Sequence, residues 1–449
     1  MAARTNKSEV WKSFTKVASN KVRCNFCSKE LAVTGGQTSS LHSHLRSKHP
    51  GESAQSCATP TITSFTTPRH CTDSRKEKIT TAIGKVIVEN MLPISFVESE
   101  SMHELLALLE PGYQLPCRQT MTDRLDRQKS DVAEKVKADL TAAQHVSVTT
   151  DIWTSVSNDA YLSFTASYID GNWKVKTPVL ATMFMEERHT QAVITESLGH
   201  VADEWQLNDK IVACVHDGAA NIRDAGARNK WSDVHCSVHK LQLCITSAMG
   251  VDKVTSNPIA KCIGAASRLV GHFSHSPMAV GELRKRQASM FPDSQPKKLI
   301  QHCKTRWNSA YDMFERLVEL RWPVCAVLSD RNVVKPADAK TLELKDENWQ
   351  LMSDLLPVLK PLKIATCVLS AEKEPTSSKV YPMLSGLVDD HLGVSDDDAS
   401  TVSTFKAAVV DSIKQRFGMT DLATACSPLV IASVLDPTVK DLSGSLTRT

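Results

Sequence analysis

The sequence predicts a multi-domain chain: a small metal-closed module of ββα type, a small helical region, and an α/β core that runs on into an all-α segment. Three observations predict this. Residues 21–50 hold two cysteines and two histidines at metal-ligand spacing. Residues 145–250 alternate strand-like and helix-like stretches, and two of the strands run into an acid. From about residue 251 onward the apolar spacing is helical, with no strand-like alternation of any length.

Length and composition set the bounds. A chain of 449 residues has room for two to four domains, and 41% apolar with 23% charged residues is ordinary globular composition. No apolar run reaches the roughly eighteen residues of a membrane span. The N-terminus, Met1 to Lys7, leads into no apolar signal core, so no secretion signal is expected. Thirteen scattered cysteines then read as reduced thiols of a cytosolic or nuclear chain. Residues 1–50 hold nine Lys/Arg against Glu9 and Glu30, a net +7, whereas the whole chain is only +3. A basic N-terminal module on a slightly acidic body calls for a polyanion partner, with DNA or RNA the leading class.

The module itself is Cys24-x2-Cys27 followed by His44-x4-His49. Two thiolates on a tight knuckle and two imidazoles about one helical turn apart close a tetrahedron around Zn²⁺. His42 is the other histidine within reach, but it leaves six residues before His49, longer than usual. So small a module has little core of its own, so zinc should be required for it to fold. Trp11 and Phe14 ahead of the cysteines, with Ser40-Leu41 and His44-Leu45-Arg46 behind, resemble a BED-type zinc finger spanning residues 5–50. That resemblance implies double-stranded DNA as partner, bound by a basic helix over about Thr38–Lys48. Trp11 and Phe14 would belong to the finger core. Arg46 and Lys48 would face DNA, as phosphate contacts rather than base readers.

Residues 51–75 are rich in Ser, Thr and Pro and read as a flexible linker. Residues 76–140 read as a small helical region, with helices near Lys76–Glu89 and Ser101–Leu109. Met102, Leu105, Leu106 and Leu109 are expected to form the buried face of the second. The stretch "LPISFVE…LLEPGYQLPCRQTM" resembles the second DNA-binding region of hAT-superfamily transposases.

In residues 145–250, Val146–Trp153 is a strand reaching Asp151, and Ile211–His216 is a strand ending at Asp217. Further strands are expected over Tyr161–Asp170, Trp173–Met185 and Val234–Val238. Helices are expected over Thr190–Trp205, Ala219–Arg228 and His239–Ala248. Neighbouring strands would place Asp151 and Asp217 side by side at the sheet rim, as an Mg²⁺ phosphoryl-transfer site requires. Taken singly, each Asp is as readily the cap of the turn after its strand. The element order, "TTDIWTS" and "HDGAANI" resemble the RNase H-like core of hAT transposases, which makes Asp151 and Asp217 the first two catalytic acids. Cys236 and His239 match the Cys-x-x-His element of that family, implied to position DNA near the acids. The alternative is that both simply pack the helix start.

Residues 251–449 resemble the all-α insertion domain of the same family. Helices are expected over 258–274, 277–288, 306–321, 346–369, 399–417 and 421–434, the fourth interrupted by Pro357 and Pro361. Arg306-Trp307 matches the family's Arg-Trp element, and Trp307 is implied to stack on an unpaired base; the alternative is an amphipathic Trp that packs in the core. Near the end, "VLDPTVKDL" follows the family pattern only through Pro437. The family's third acid, a Glu, and its dimerisation region lie beyond that point, so the chain reads as C-terminally truncated. Two aspartates without the third acid should hold Mg²⁺ poorly, and homodimerisation loses its usual route. These expectations converge on a nuclear, zinc-dependent DNA-binding protein derived from a transposase and regulating transcription, leaning away from an enzyme. The alternative is an active cut-and-paste transposase represented by a truncated chain.

Overall fold

The computed structural model describes residues 9–33, 38–49, 71–186, 190–223, 229–250, 257–371, 374–420 and 427–439. Packing divides the chain into two compact units, Met1–Asp131 and Val132–Thr449.

The first unit begins with a 3₁₀ turn, Glu9–Ser13, then β1 (Phe14–Ala18), β2 (Lys21–Cys24), β3 (Glu30–Ala32) and helix α1 (Ser39–Lys48). The three strands form an antiparallel sheet in the order β1-β2-β3. Its core is Val10, Phe14, Val22, Val33, Leu41 and Leu45, with Trp11 and Leu31 packed against it. The rest of the unit is helical: α2 (Asp73–Glu89), a 3₁₀ turn (Ile94–Glu98), α3 (Glu100–Leu109) and the first part of α4 (Arg118–Ala142), whose remainder belongs to the second unit. Thr72 caps α2 by accepting from the Arg75 amide at 3.3 Å. The expected apolar face of α3 is corrected here. Leu106 is buried and Met102 half-buried, but Leu105 and Leu109 are 49% and 67% exposed. The cluster of Ile83, Ile87, Val97 and Met121 meets α3 along its 102/106 edge only.

In the second unit β4 (Val146–Thr154), β5 (Ala160–Ile169), β6 (Val175–Lys176), β7 (Val179–Phe184), β8 (Ile211–His216) and β9 (Ser232–His235) form one mixed sheet. Its order is β6-β5-β4-β8-β9, with β7 also paired to β5. Pairs β4·β5 and β5·β7 are antiparallel, whereas β4·β8 and β8·β9 are parallel. The single strand expected over Trp173–Met185 is split at Pro178, whose ring removes a ladder donor. Between β7 and β8 lies α5 (Gln191–Glu204), which buries Ile194, Leu198, Val201 and Ala202 against the sheet. Leu140, near the end of α4, joins the same core. The helix expected over Ala219–Arg228 starts at 220, and residues 224–228 lie outside the described ones.

Beyond β9 the described residues are helical: α6 (Ser237–Met249), α7 (Pro258–His275), α8 (Pro277–Met290), α9 (Asn308–Glu319), α10 (Arg321–Ser329), α11 (Pro336–Leu342), α12 (Asp346–Leu369), α13 (Val380–Gly386), α14 (Ser400–Phe417) and α15 (Pro428–Leu435). Asn257 and Ser276 cap α7 and α8, each with proline in the first turn. Two expectations change. The helix expected over 306–321 breaks at Leu320, because Pro323 would clash with the Glu319 carbonyl in a continuous helix. By contrast α12 runs unbroken through Pro357 and Pro361. Burial of Leu355, Val358, Leu359 and Leu362 outweighs the two missing amides. Apolar residues of α6 (Leu241, Cys244, Ile245, Met249) belong to this helical core, not to the sheet's.

Trp307 lies at the centre of that core, 1% exposed. Its expected stacking on an unpaired base is therefore corrected: in this conformation both ring faces are covered by protein. Trp307→Ala is expected to cost about 3–5 kcal/mol of stability, read from denaturant unfolding of the full chain. A loss below about 1 kcal/mol would mean that the ring is not packed as described.

Candidate functional site

In the finger, the knuckle is built by backbone geometry. The Cys24 amide donates to the Lys29 carbonyl at 2.9 Å, and the Ser28 amide to the Cys24 carbonyl at 2.9 Å. Ser28 takes a positive φ of 59° to close this turn. The two thiols thus face α1, whose buried side carries Leu41, His44 and Leu45. Cys27 Sγ lies 3.3 Å from His44 Nε2, and Cys24 Sγ 3.7 Å from His49 Nε2. All four ligand atoms fall within 4.8 Å of one another. A tetrahedron with bonds of about 2.3 Å to sulfur and about 2.0 Å to nitrogen has mixed edges of about 3.5 Å, so the set fits Zn²⁺. His42 points to solvent, which resolves the choice in favour of His44. Phe14 packs edge-on to His44 at 6.0 Å and steadies that ligand. Trp11 packs on the finger core, and Arg46 and Lys48 are exposed on α1.

In the second unit, the parallel register pairs Val148 with Cys214 and Thr149 with Val215. Carried two residues further, it sets Asp151 beside Asp217. Asp217 also caps its own turn, accepting from the Ala219 amide at 2.9 Å, so the bland role of this Asp is present too. Burial, then the Asp217 charge, holds the Asp151 carboxyl above its ordinary range, and His239 partly offsets this. The pair is a cation-seeking arrangement. Yet among the described residues the finger supplies the one group of three or more converging metal ligands. Two carboxylates, one already engaged by a turn, fit Mg²⁺ incompletely.

Three side chains to which the sequence reading gave no role beside the acids, His216, Asp233 and His235, support the Asp217 turn. His216 is buried, and its Nδ1 accepts from the Gly218 amide at 3.0 Å. Its Nε2–H therefore donates to Asp233 Oδ1, at 2.5 Å. His235 stacks parallel to His216 at 6.4 Å, and its ring presses on Gly218. A Cβ at Gly218 would meet that ring at 2.3 Å, and φ there is +91°. Only glycine satisfies both demands. The adjacency of His216 to Asp217 was visible in the sequence. Its pairing with Asp233 was not, because that depends on strand order. Cys236 donates its amide to the His216 carbonyl at 2.7 Å and begins α6, which places His239 next to His235 at 5.7 Å. Neither joins a metal cluster among the described residues. Arg306 is exposed just ahead of α9, beside the buried Trp307.

Residues 8–50 match the family model of the BED zinc finger. Those residues are a BED-type zinc finger. Residues 149–230 match a second family model, the ZBED1 RNase-like domain. Its relatives include a Zea mays protein bearing the name AC transposase, 24% identical over 407 residues. That match covers 83% of this chain and 49% of the relative. A Talaromyces stipitatus protein bearing the name transcriptional regulator tpeD is 23% identical over 333 residues, covering 66% and 38%. Human zinc finger BED domain-containing protein 4 is 22% identical over 380 residues, covering 81% and 31%. The chain thus spans half or less of the length of these three relatives. Among the described residues, no helix is long and apolar enough to cross a membrane.

The Asp151 shift has a consequence for stability. The folded chain holds this proton to a higher pH than the unfolded chain does, so ionisation costs stability as pH rises through that window. The cost is absent below about pH 4, where both states are protonated. Asp151→Asn is expected to raise the thermal midpoint at pH 7, with the gain shrinking towards pH 4. A gain that grows on acidification would contradict the assignment.

Proposed function

We propose that this protein binds double-stranded DNA in the nucleus through its N-terminal finger and regulates transcription, on a scaffold of transposase descent. The observation that carries this reading is the convergence of Cys24, Cys27, His44 and His49 at zinc-site distances, behind a helix that exposes Arg46 and Lys48. Zinc closes a module whose core is only a few side chains deep, and closure holds the basic helix in place. The relatives named as a transcriptional regulator and as a BED domain-containing protein support the regulatory side. Arg46 and Lys48 serve as phosphate contacts, so binding is salt-dependent. In gel-shift titrations with duplex DNA, Arg46→Ala and Lys48→Ala should each weaken binding across sequences and lower the salt slope by about 1. Cys24→Ser with Cys27→Ser should abolish both zinc content and the shift. Full binding by that double variant would remove the finger from the function.

A second reading is nuclease chemistry of the transposase type. Its motivating observation is Asp151 lying in register beside Asp217, with a relative named as a transposase. It requires more ligands than this pair provides. The reading predicts Mg²⁺-dependent nicking of duplex DNA that Asp151→Asn removes at least a hundredfold, roughly the loss expected for a transition-state contact. Absence of nicking by the wild-type chain at millimolar Mg²⁺ would leave the DNA-binding reading alone.

A further inference from the structure

Away from the acid pair, a cavity of about 340 Å³ opens between β9, the first turn of α6 and the facing ends of α14 and α15. Its polar wall is cationic. Lys240 lies half-buried on α6, and among the described residues its ammonium has neither hydrogen bond nor ion pair. The Phe417 ring lies 5.3 Å from it, and the Asp233 carboxylate acts on it at longer range. Arg416 stands beside it, exposed, with its Nε–H donating to Ser412 Oγ at 3.3 Å and its terminal nitrogens left over. The one acid in the wall, Asp233, is already taken by His216. The first residues of α15 also line this space, but Ser427 Oγ already accepts from the Val430 amide and Pro428 has no amide to offer. The remaining wall is aromatic and aliphatic, with Tyr381 held in place by its hydroxyl donating to the Phe417 carbonyl at 2.7 Å.

Burial pulls the Lys240 ammonium below its ordinary range, and the nearby Asp233 charge offsets this only in part. Two cations line one space whose single acid is already hydrogen-bonded to His216, and that charge balance calls for an oxyanion. The volume sits at the lower end of small-ligand pockets, about 300–1,000 Å³. It admits a mononucleotide and is too small for a duplex. We propose that this cavity binds a phosphate-bearing molecule of mononucleotide size, its phosphate on Lys240 and Arg416 and its ring system against Tyr381 and Leu429. This site is separate from the finger, and it shares Asp233 and His235 with the residues that hold the Asp217 turn.

Calorimetric titration of the full chain tests it, with AMP, adenosine, inorganic phosphate and a short duplex as ligands. AMP should bind saturably and be displaced by inorganic phosphate. Adenosine should bind at least roughly tenfold more weakly, the weight of one charge-assisted hydrogen bond. Lys240→Gln and Arg416→Gln should each weaken AMP by a similar factor, while Cys24→Ser leaves it unchanged. Arg416 is exposed, so its variant keeps the test open if Lys240→Gln fails to fold. Equal affinity for adenosine and AMP, or unchanged AMP affinity in the folded variants, would overturn the proposal. So would the absence of saturable binding at millimolar AMP. Duplex binding that falls in step with AMP binding in both variants would assign the cations to polynucleotide phosphate instead, and would equally overturn it.

Discussion

The parallel pairing of β4 with β8 is the constraint on which the second unit depends. It joins strands more than fifty residues apart in sequence, so the chain must first build β5, β6 and β7 on one side of β4 and then cross back through α5 before β8 can pair on the other. That single pairing sets the register of Asp151 against Asp217 and fixes which edge β9 can occupy. The turn after β8 is consequently crowded: His216 beneath, His235 above, and a glycine between them because no other residue fits. Two carboxylates meet there at an electrostatic cost, and the fold tolerates that cost because the surrounding pairings leave the chain no other path.

The finger obeys a different economy. Its core holds seven buried side chains, one of them the ligand Cys24, so metal closure and packing are a single process rather than two. The helix that carries His44 and His49 on one side carries Arg46 and Lys48 to solvent. Ligand spacing and basic surface are therefore two readings of one helical period.

Much of this was legible in the sequence because it is local. The Cys24–Cys27 and His44–His49 spacings are set by a turn and a helix, each a few residues long, and the four atoms come together as those spacings imply. The strands at Val146 and Ile211 carried clear alternation into an acid, and both formed. Legibility failed where a residue's fate depends on a distant partner. Leu105 and Leu109 have the spacing of a buried stripe, yet what α3 packs against leaves them exposed. Pro357 and Pro361 looked like breaks, yet the burial around them keeps α12 whole. The break at Leu320 could have been read, since Pro323 forbids a continuous helix four residues upstream. His216 drew no notice because its partner, Asp233, is brought to it only by strand order.

The buried Trp307 carries a warning for any mutational map of this protein. Its indole is enclosed by the helical core, so replacing it lowers the fraction of folded molecules before any ligand is involved. A phenotype scored in cells would mark the position as indispensable. Yet the same score would arise for Phe314 or Phe405, which are buried in the same core. Intolerance to substitution here measures abundance, and separating it from contact with a ligand requires activity per folded molecule.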